Sequence, residues 1–370
     1  MKICFIGDPS SIHLTRWMNF FSISGHKISL ICFNNTVVKE INGVQIYRIR
    51  LCDFRFLPIT VQTVLNMIII PLTIRIICKK IKPDILHAHY ILDYGFYAAF
   101  ALFHPLVITA WGDDVLVYPK ISQFSKWKLC FAVKKAQLVT IDSVYIKEEI
   151  LRLYFSMYKT YLVRKIYNIQ WGVDFESLRI EQRVTPDSQL IIICPRGFQK
   201  IYNTEIIIKA IPKVISLFPN VKFVFLGAGD KTNFKTLAEK LNIYKYTDFQ
   251  GWIEHGKLLD IYQRAKVMIS IPSSDGTSVA LLEAMICGCI PVVSNLPANR
   301  EWIKDGINGV IVDIKNVECL SSGIIKALNM TETQVKEIKK YNYHFIKEKG
   351  DYKQNMLNME KLYFRLINKR

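Results

Sequence analysis

The sequence predicts an α/β protein made of two facing Rossmann-like domains, each a parallel sheet with helices on both faces. Three observations lead there. Short β-rich runs alternate with longer helical patterns, the rhythm of a parallel sheet with helical crossovers. That rhythm breaks once, at a polar stretch over 172–188, and then resumes. Half of the 370 residues are hydrophobic and 12% are aromatic, enough for two buried cores.

In order, the run KICFIG (2–7) reads as a strand, and 12–24 as a helix closed by Gly25. Strands follow at 27–33 and 44–50, then a helix over 58–80, a strand at 85–89, a helix over 94–103 and a strand at 106–110. A helix at 123–135, a strand at 138–141 and a short helix at 144–153 end the first half. In the second half, strands are expected at 190–194, 221–227, 248–250, 267–271, 290–294 and 309–312. Helices are expected near 203–217, 231–241, 256–264, 278–287 and 297–304. The tail, 331–370, reads as charged helix with a break at Gly350. The expected domains are 1–172 and 186–345, with a terminal helix over 351–370 packed back on the first. Ligands of such sheets sit beyond the carboxyl ends of the strands, so the default site faces the other domain.

Composition narrows the function. Nine cysteines, an odd number mostly inside apolar runs, read as buried thiols of a reducing, cytoplasmic compartment rather than a disulfide framework. Cys287-x-Cys289 has no second Cys/His pair at zinc spacing, so no metal site is expected. The opening run is a strand rather than a charged leader, so no signal peptide is expected. The uncharged stretch 56–74 contains Pro58, Gln62, Asn66 and Pro71, which favours a buried or surface-seeking helix over a spanning one. The formal net charge is +18, which attracts anions. Scattered lysines read as solvated surface, but Lys79-Lys80-Ile81-Lys82 beside the apolar segment suits an anionic membrane surface.

The most informative stretch is 270–303, SIPSSDGTSVALLEAMICGCIPVVSNLPANREWI. A loop after the strand at 267–271 carries Asp275, and the helix that follows carries Glu283, eight positions on. Ser278 is placed to cap that helix. With Gly276, Thr277 and Val279 it forms an entrance whose N–H groups can bind a phosphate or a sugar hydroxyl. Glu283, more than one turn inside, can accept two adjacent hydroxyls such as a ribose diol.

This segment resembles the E-x7-E signature of the family 4 retaining glycosyltransferases (glycosyl transferases group 1, GT-B fold), with Asp275 in place of the first glutamate. Glu283-Ala284-Met285, Gly288, Pro291-Val292-Val293 and Glu301 continue the pattern. The resemblance implies that Asp275 lies near the donor sugar and that Glu283 holds the nucleotide ribose. Arg196 follows the strand at 190–194, where a guanidinium reaches a diphosphate bidentately. Family members then have Lys-Gly where this chain has Tyr202-Asn203. Lys200 either supplies the missing cation or is a surface lysine. Gly227 resembles the family's strand-ending Gly-x-Gly turn, and Trp252 lies either beside the nucleotide base or in the core.

In the first half, His13-x-x-Arg16-Trp17 looks like a common opening of the family, which gives His13 a donor or acceptor contact. Residues 105–116 resemble a strand followed by Thr-x-His-Gly-x-Asp, with Trp111 at the His position and Gly112 and Asp114 matching. Asp113 or Asp114 is then expected at acceptor or sugar hydroxyls, and His89 toward the acceptor. Trp171-Gly172-Val173-Asp174 resembles the turn that closes the family's first domain.

The resemblance implies a retaining hexosyltransferase. Its donor is a nucleoside-diphosphate sugar, UDP- or GDP-linked, and its acceptor a hydroxyl of a glycan or lipid-linked intermediate, as in lipopolysaccharide or capsule synthesis. It implies no metal and no further cofactor, and a location in the cytoplasm or on the inner membrane face. Two alternatives stand beside it. A sugar-nucleotide epimerase of the same fold would need acid/base groups at the sugar C2. A basic nucleic-acid-binding protein would need basic residues interleaved with aromatics on one face, and no such motif is found, so no nucleic-acid partner is expected.

Overall fold

Continuous apolar runs such as ICFI and LICF bury both faces of their strands, as all-parallel sheets require. The computed structural model describes residues 1–33, 41, 43–51, 58–154, 156–178, 189–314 and 316–368. Most of the expected linker (179–188), with the expected domain start at 186, lies outside the described residues, as do 56 and 57 of the apolar stretch. The chain divides into two units: Met1–Ile169 with Gln354–Arg370, and Gln170–Lys353.

Among the described residues, the first unit holds seven parallel strands: β1 (Lys2–Ile6), β2 (Lys27–Phe33), β3 (Val44–Ile49), β4 (Ile85–His89), β5 (Leu106–Thr109), β6 (Leu138–Ile141) and β7 (Ile166–Asn168). Their order is β3-β2-β1-β4-β5-β6-β7, with Ile3 of β1 opposite both Ile28 and Ile85. On one face Cys4, Ile6, Leu86, Ala88 and Ile108 pack with Ile70, Ile74 and Cys78 of the helix Ile59–Ile81, and with Leu129, Ala132 and Val133 of the helix Gln123–Lys135. On the other face Phe5 and His87 meet Trp17 and Phe21 of the helix Ile12–Ile23.

The terminal helix, Tyr352–Ile367, is part of that second layer. His87 is fully buried and has a hydrogen bond on each ring nitrogen: Nδ1 with the Tyr363 hydroxyl (2.5 Å) and Nε2 with the Thr109 hydroxyl (2.6 Å). Burial holds its imidazole well below the ordinary range. His26 Nε2 lies 2.6 Å from the Glu360 carboxylate. Two imidazoles far apart in sequence thus tie residues 354–367 to the first unit.

Among the described residues, the second unit holds six parallel strands: β8 (Leu190–Cys194), β9 (Val221–Leu226), β10 (Thr247–Gly251), β11 (Val267–Ser270), β12 (Ile290–Ser294) and β13 (Val310–Val312), in the order β10-β9-β8-β11-β12-β13. Helices Thr204–Leu217 and Val317–Leu328 cover one face. His255–Arg264 and Val279–Cys287 cover the other. Asp174 Oδ1 accepts the N–H groups of Glu176 (3.1 Å) and Ser177 (3.4 Å) and so closes the turn after Val173.

Both sheets reverse direction in the same way. The chain lays strands outward from β1 and then returns to β1's other side as β4; β8 and β11 repeat this. The gap between the carboxyl ends of such a pair is where open α/β sheets bind ligands.

The structure adds elements that the sequence pattern did not predict. The helix Val317–Leu328 carries Gly323 and two serines, poor helix formers. Gly323 is required there, because a Cβ would lie 2.5 Å from Val312 of β13. Strand β7 has only three residues, two of them exposed, so it shows no apolar run. The helix expected over 94–103 is a π-turn, Ile91–Gly95, leading into Phe96–Phe100. The one expected over 297–304 is a single turn, Pro297–Arg300.

Candidate functional site

The second unit's reversal point gathers the residues singled out at 196 and 275–283. Arg196 leaves the end of β8, and the loop 271–278 leaves the end of β11. Asn203 stitches the two loops: its Nδ2 donates to the Ile271 carbonyl (2.8 Å) and to the Ser273 hydroxyl (2.9 Å). Asn203 adopts the left-handed conformation (φ 55°, ψ 33°), which after glycine Asn tolerates best. This explains how Asn stands where the family has Gly.

Arg196 is the centre of the site. Its Nη2 donates to Asp275 Oδ2 at 2.5 Å, with the two side chains 17% and 20% exposed. Its Nη1 donates to the Ser278 hydroxyl. The guanidinium carbon lies 4.8 Å from the Tyr202 ring centroid, within cation–π range. Its Nε–H is buried and meets no acceptor among the described residues. Burial pushes the Asp275 carboxyl above the ordinary range, while the Arg196 charge and the Gly276 N–H pull it down.

Ser278 caps the helix Val279–Cys287 by accepting the Leu281 N–H on its hydroxyl oxygen (3.3 Å). The N–H groups of Val279 and Ala280, in the first turn, have no acceptor within the helix. Gly276 is buried in the loop before it. Thr277 faces the interior: its hydroxyl accepts the Trp302 indole N–H at 3.1 Å, a packing role the sequence did not signal. Glu283, 9% exposed, sits one turn inside the helix, and its Oε1 lies 2.9 Å from His255 Nε2. His255 had no sequence signal, because 28 residues separate it from Glu283.

Gly227 supports the site through its backbone. At φ 113° its Cβ would lie 2.5 Å from the Gly197 nitrogen, beside Arg196, so the ends of β8 and β9 approach only with glycine there. Trp252 is 69% exposed after β10, which removes the core alternative for it. Lys200 is exposed at the start of the turn Lys200–Tyr202, where the surface-lysine alternative fits. The neighbour of Arg196 in that turn is the Tyr202 ring.

In the first unit, the expectation that Asp114 contacts a substrate hydroxyl is corrected. Asp114 is fully buried, and its Oδ2 accepts the Ile91 N–H (2.8 Å) while Oδ1 accepts those of Trp111 and Gly112 (3.0 Å each). It pins the loop after β5 to the π-turn after β4 and cannot reach a sugar without giving up those bonds. Burial pushes its carboxyl up to about 7 against the pull of the three N–H groups. Asp113 beside it is exposed.

His13, His89 and Trp111 converge at the ends of β1, β4 and β5. The Trp111 ring centroid lies edge-on 6.2 Å from His13 and 6.3 Å from His89, and Tyr90 adds a third edge contact at 6.1 Å. Tyr90 has φ 75°, a strained conformation for a non-glycine residue. Burial, with His13 nearby, holds His89 down at about 3, so its imidazole is neutral. Among the described residues, no group of three or more His, Cys, Asp or Glu is arranged to hold a metal ion, and no disulfide joins the eight described cysteines.

Comparison with known proteins gives the family. Residues 175–345 match the family described as glycosyl transferases group 1, and residues 2–143 match glycosyl transferase 4-like. An uncharacterized glycosyltransferase of Methanocaldococcus jannaschii is 26% identical over 230 residues, 59% of this chain and 56% of that protein. The next two curated relatives are matched over 38% and 61% of their lengths, so the chain spans less than two thirds of each. Among solved structures, sucrose-phosphate synthase from Thermosynechococcus elongatus superposes with a TM-score of 0.83 at 15% identity, over 100% of both chains. An Anabaena protein, HepE, solved with UDP and glucose, superposes with a TM-score of 0.77 at 15% identity, over 99% of this chain and 100% of that one. These structural likenesses concern the fold, and the two sequence matches together cover most of the chain. The chain belongs to the group 1, family 4-like glycosyltransferases of GT-B fold.

Proposed function

We propose that this chain is a retaining hexosyltransferase that moves a sugar from a UDP- or GDP-linked donor to a hydroxyl of a glycan or lipid-linked acceptor. The observation that carries this is the Arg196 guanidinium, held by Asp275, Ser278 and Tyr202 at the entrance of the helix that bears Glu283. HepE, on the same fold, was solved with UDP and glucose, a nucleoside diphosphate and a hexose of the kind proposed here.

The chemistry follows from charge. The bond between the anomeric carbon and the diphosphate oxygen breaks, and its electron pair leaves with the diphosphate. Arg196 and the first-turn N–H groups of Val279 and Ala280 face that developing charge. Arg196 brings its buried Nε–H, which meets no acceptor among the described residues, and its Nη1 and Nη2 groups exchange Ser278 and Asp275 for phosphate oxygens. Asp275, released from the guanidinium, turns to a sugar hydroxyl. Glu283 accepts the ribose diol, with His255 fixing one of its oxygens. The acceptor oxygen attacks the anomeric carbon on the face the diphosphate leaves, and the acceptor proton passes to a leaving phosphate oxygen. That path retains the configuration without a protein nucleophile and asks for no metal. His13, His89 and Trp111 are the first unit's candidates for the acceptor side. The enzyme would act in the cytoplasm or on the inner membrane face, in cell-surface polysaccharide synthesis.

Incubation with UDP- and GDP-sugars in EDTA, with product anomers read by NMR, tests the proposal. Transfer with the donor's configuration kept is expected. An inverted product, or a free sugar altered at C2, contradicts it.

A further inference from the structure

The helix Ile59–Ile81 carries two apolar stripes. Ile70, Ile74 and Cys78, at four-residue spacing, are buried in the first unit's core. Val64, Ile68, Leu72 and Ile76, also four apart, are each 53–67% exposed. The inner stripe fixes the helix along the sheet, so its length and hydropathy, sufficient to cross a bilayer, are not used for crossing. The outer stripe is left facing outward. Residues 59–69 contain no buried position and no charge, so this apolar part extends about 16 Å along the helix.

A second apolar feature lies in the same helical layer. The helix Phe96–Phe100 packs against both Ile59–Ile81 and Gln123–Lys135. On the latter, Phe124 and Trp127 stack at 5.7 Å with nearly half of each side chain exposed, and Ile121 just before them is 74% exposed. Charge in this layer has one sign. Segments 58–82, 96–107 and 118–135 together contain nine Lys or Arg and no Asp or Glu, half of the formal net charge of +18. Two of the nine are paired outside these segments, Lys120 with Glu149 and Lys128 with Asp93.

We propose that this face of the first unit docks on an anionic lipid bilayer, with the helix Ile59–Ile81 in the membrane plane and Trp127 and Phe124 at the headgroup level. Aliphatic side chains along a helix, aromatic rings beside it and an uninterrupted basic surround are what an interfacial surface requires. The absence of acidic residues from these segments selects an anionic surface over a neutral one. The inference is independent of the transfer reaction, since it concerns neither Arg196 nor Glu283.

Co-sedimentation of the full chain with 70:30 phosphatidylcholine:phosphatidylglycerol vesicles, and with pure phosphatidylcholine, tests it. Binding to the mixed vesicles is expected at 0.1 M salt, at least tenfold weaker on the neutral ones and released at 0.5 M salt. A basic residue near an anionic surface contributes a factor of about five, so Lys79→Gln with Lys80→Gln should weaken binding roughly 30-fold. Ile68→Glu with Leu72→Glu, at exposed positions, should abolish it while the thermal midpoint stays within a degree or two. No binding, equal binding to both vesicles, or binding that survives both double variants overturns the proposal. So does a lipid-free dimer in light scattering that Ile68→Glu dissociates, because a second copy of the chain would then own this face.

Discussion

Asp275→Asn should tighten the hold on a bare nucleoside diphosphate while slowing transfer. Arg196 spends one donor on Asp275 at 2.5 Å, with both side chains about four-fifths buried. A diphosphate must displace that carboxylate. A charge-assisted hydrogen bond is worth about 1.5–3 kcal/mol, and the residual exposure places this one near the lower end. Removing the competitor should return about 1.5 kcal/mol, roughly a tenfold lower Kd for UDP or GDP. The same substitution removes the carboxylate proposed to face the sugar, so kcat should fall. Isothermal titration with the bare nucleotide, beside kcat measured with the sugar nucleotide, reads the two effects separately. If Asp275→Asn weakens nucleotide binding as much as Arg196→Ala does, the competition between Asp275 and diphosphate is wrong.

Tyr202→Ala should weaken nucleotide binding by about fivefold, the value of one partly exposed cation–π contact, whereas Tyr202→Phe should keep it, because the ring and not the hydroxyl meets Arg196. His255→Ala leaves Glu283 without its ring partner and should raise KM for the donor several-fold with kcat little changed; an equal fall in kcat would argue that His255 acts in the chemical step. The folded His89 titrates near 3 against 6.5 unfolded, so its neutral form stabilises the fold above pH 6.5 and that stability is lost as pH falls. Between pH 7 and 4.5 the loss is up to about 2.7 kcal/mol. In urea unfolding at the two pH values, His89→Gln should lose less stability than the unaltered chain by up to that amount, and equal losses would refute the buried neutral imidazole.

The grouping of Asp275, Ser278 and Glu283 in the candidate site was legible because these residues are close in sequence. The loop-plus-helix pattern from Asp275 to Glu283 is local, and its N-cap, Ser278, follows from a strand ending just before a helix begins. Arg196 was legible through its place at the end of β8. The partners were not legible, because no residue pattern signals a loop's fold or the packing of one helix on another. Tyr202 reaches Arg196 only through the local folding of the loop after β8, and His255 reaches Glu283 through the packing of two helices. Asp114 misled for the opposite reason. Its position in a Gly-x-Asp pattern suggested a substrate contact, whereas its carboxylate is consumed by three backbone N–H groups, one from another strand's end. His87 shares a sheet face with His89, their ring centroids 4.4 Å apart, and its bond to the distant Tyr363 makes it a tie between sheet and terminal helix. Short or poorly helical elements such as β7 and Val317–Leu328 are held by tertiary packing, which local propensity does not register.

The most direct test of the donor site is thermal unfolding in EDTA with UDP, GDP, ADP and CMP, on the unaltered chain and on Arg196→Ala and Glu283→Ala. At a hundredfold excess over Kd, a bound nucleotide adds about 2.7 kcal/mol, a rise of a few degrees. The account predicts that rise with one nucleoside diphosphate and its loss in both variants. A folded chain whose midpoint moves with none of the four, or whose shift survives both substitutions, would contradict it.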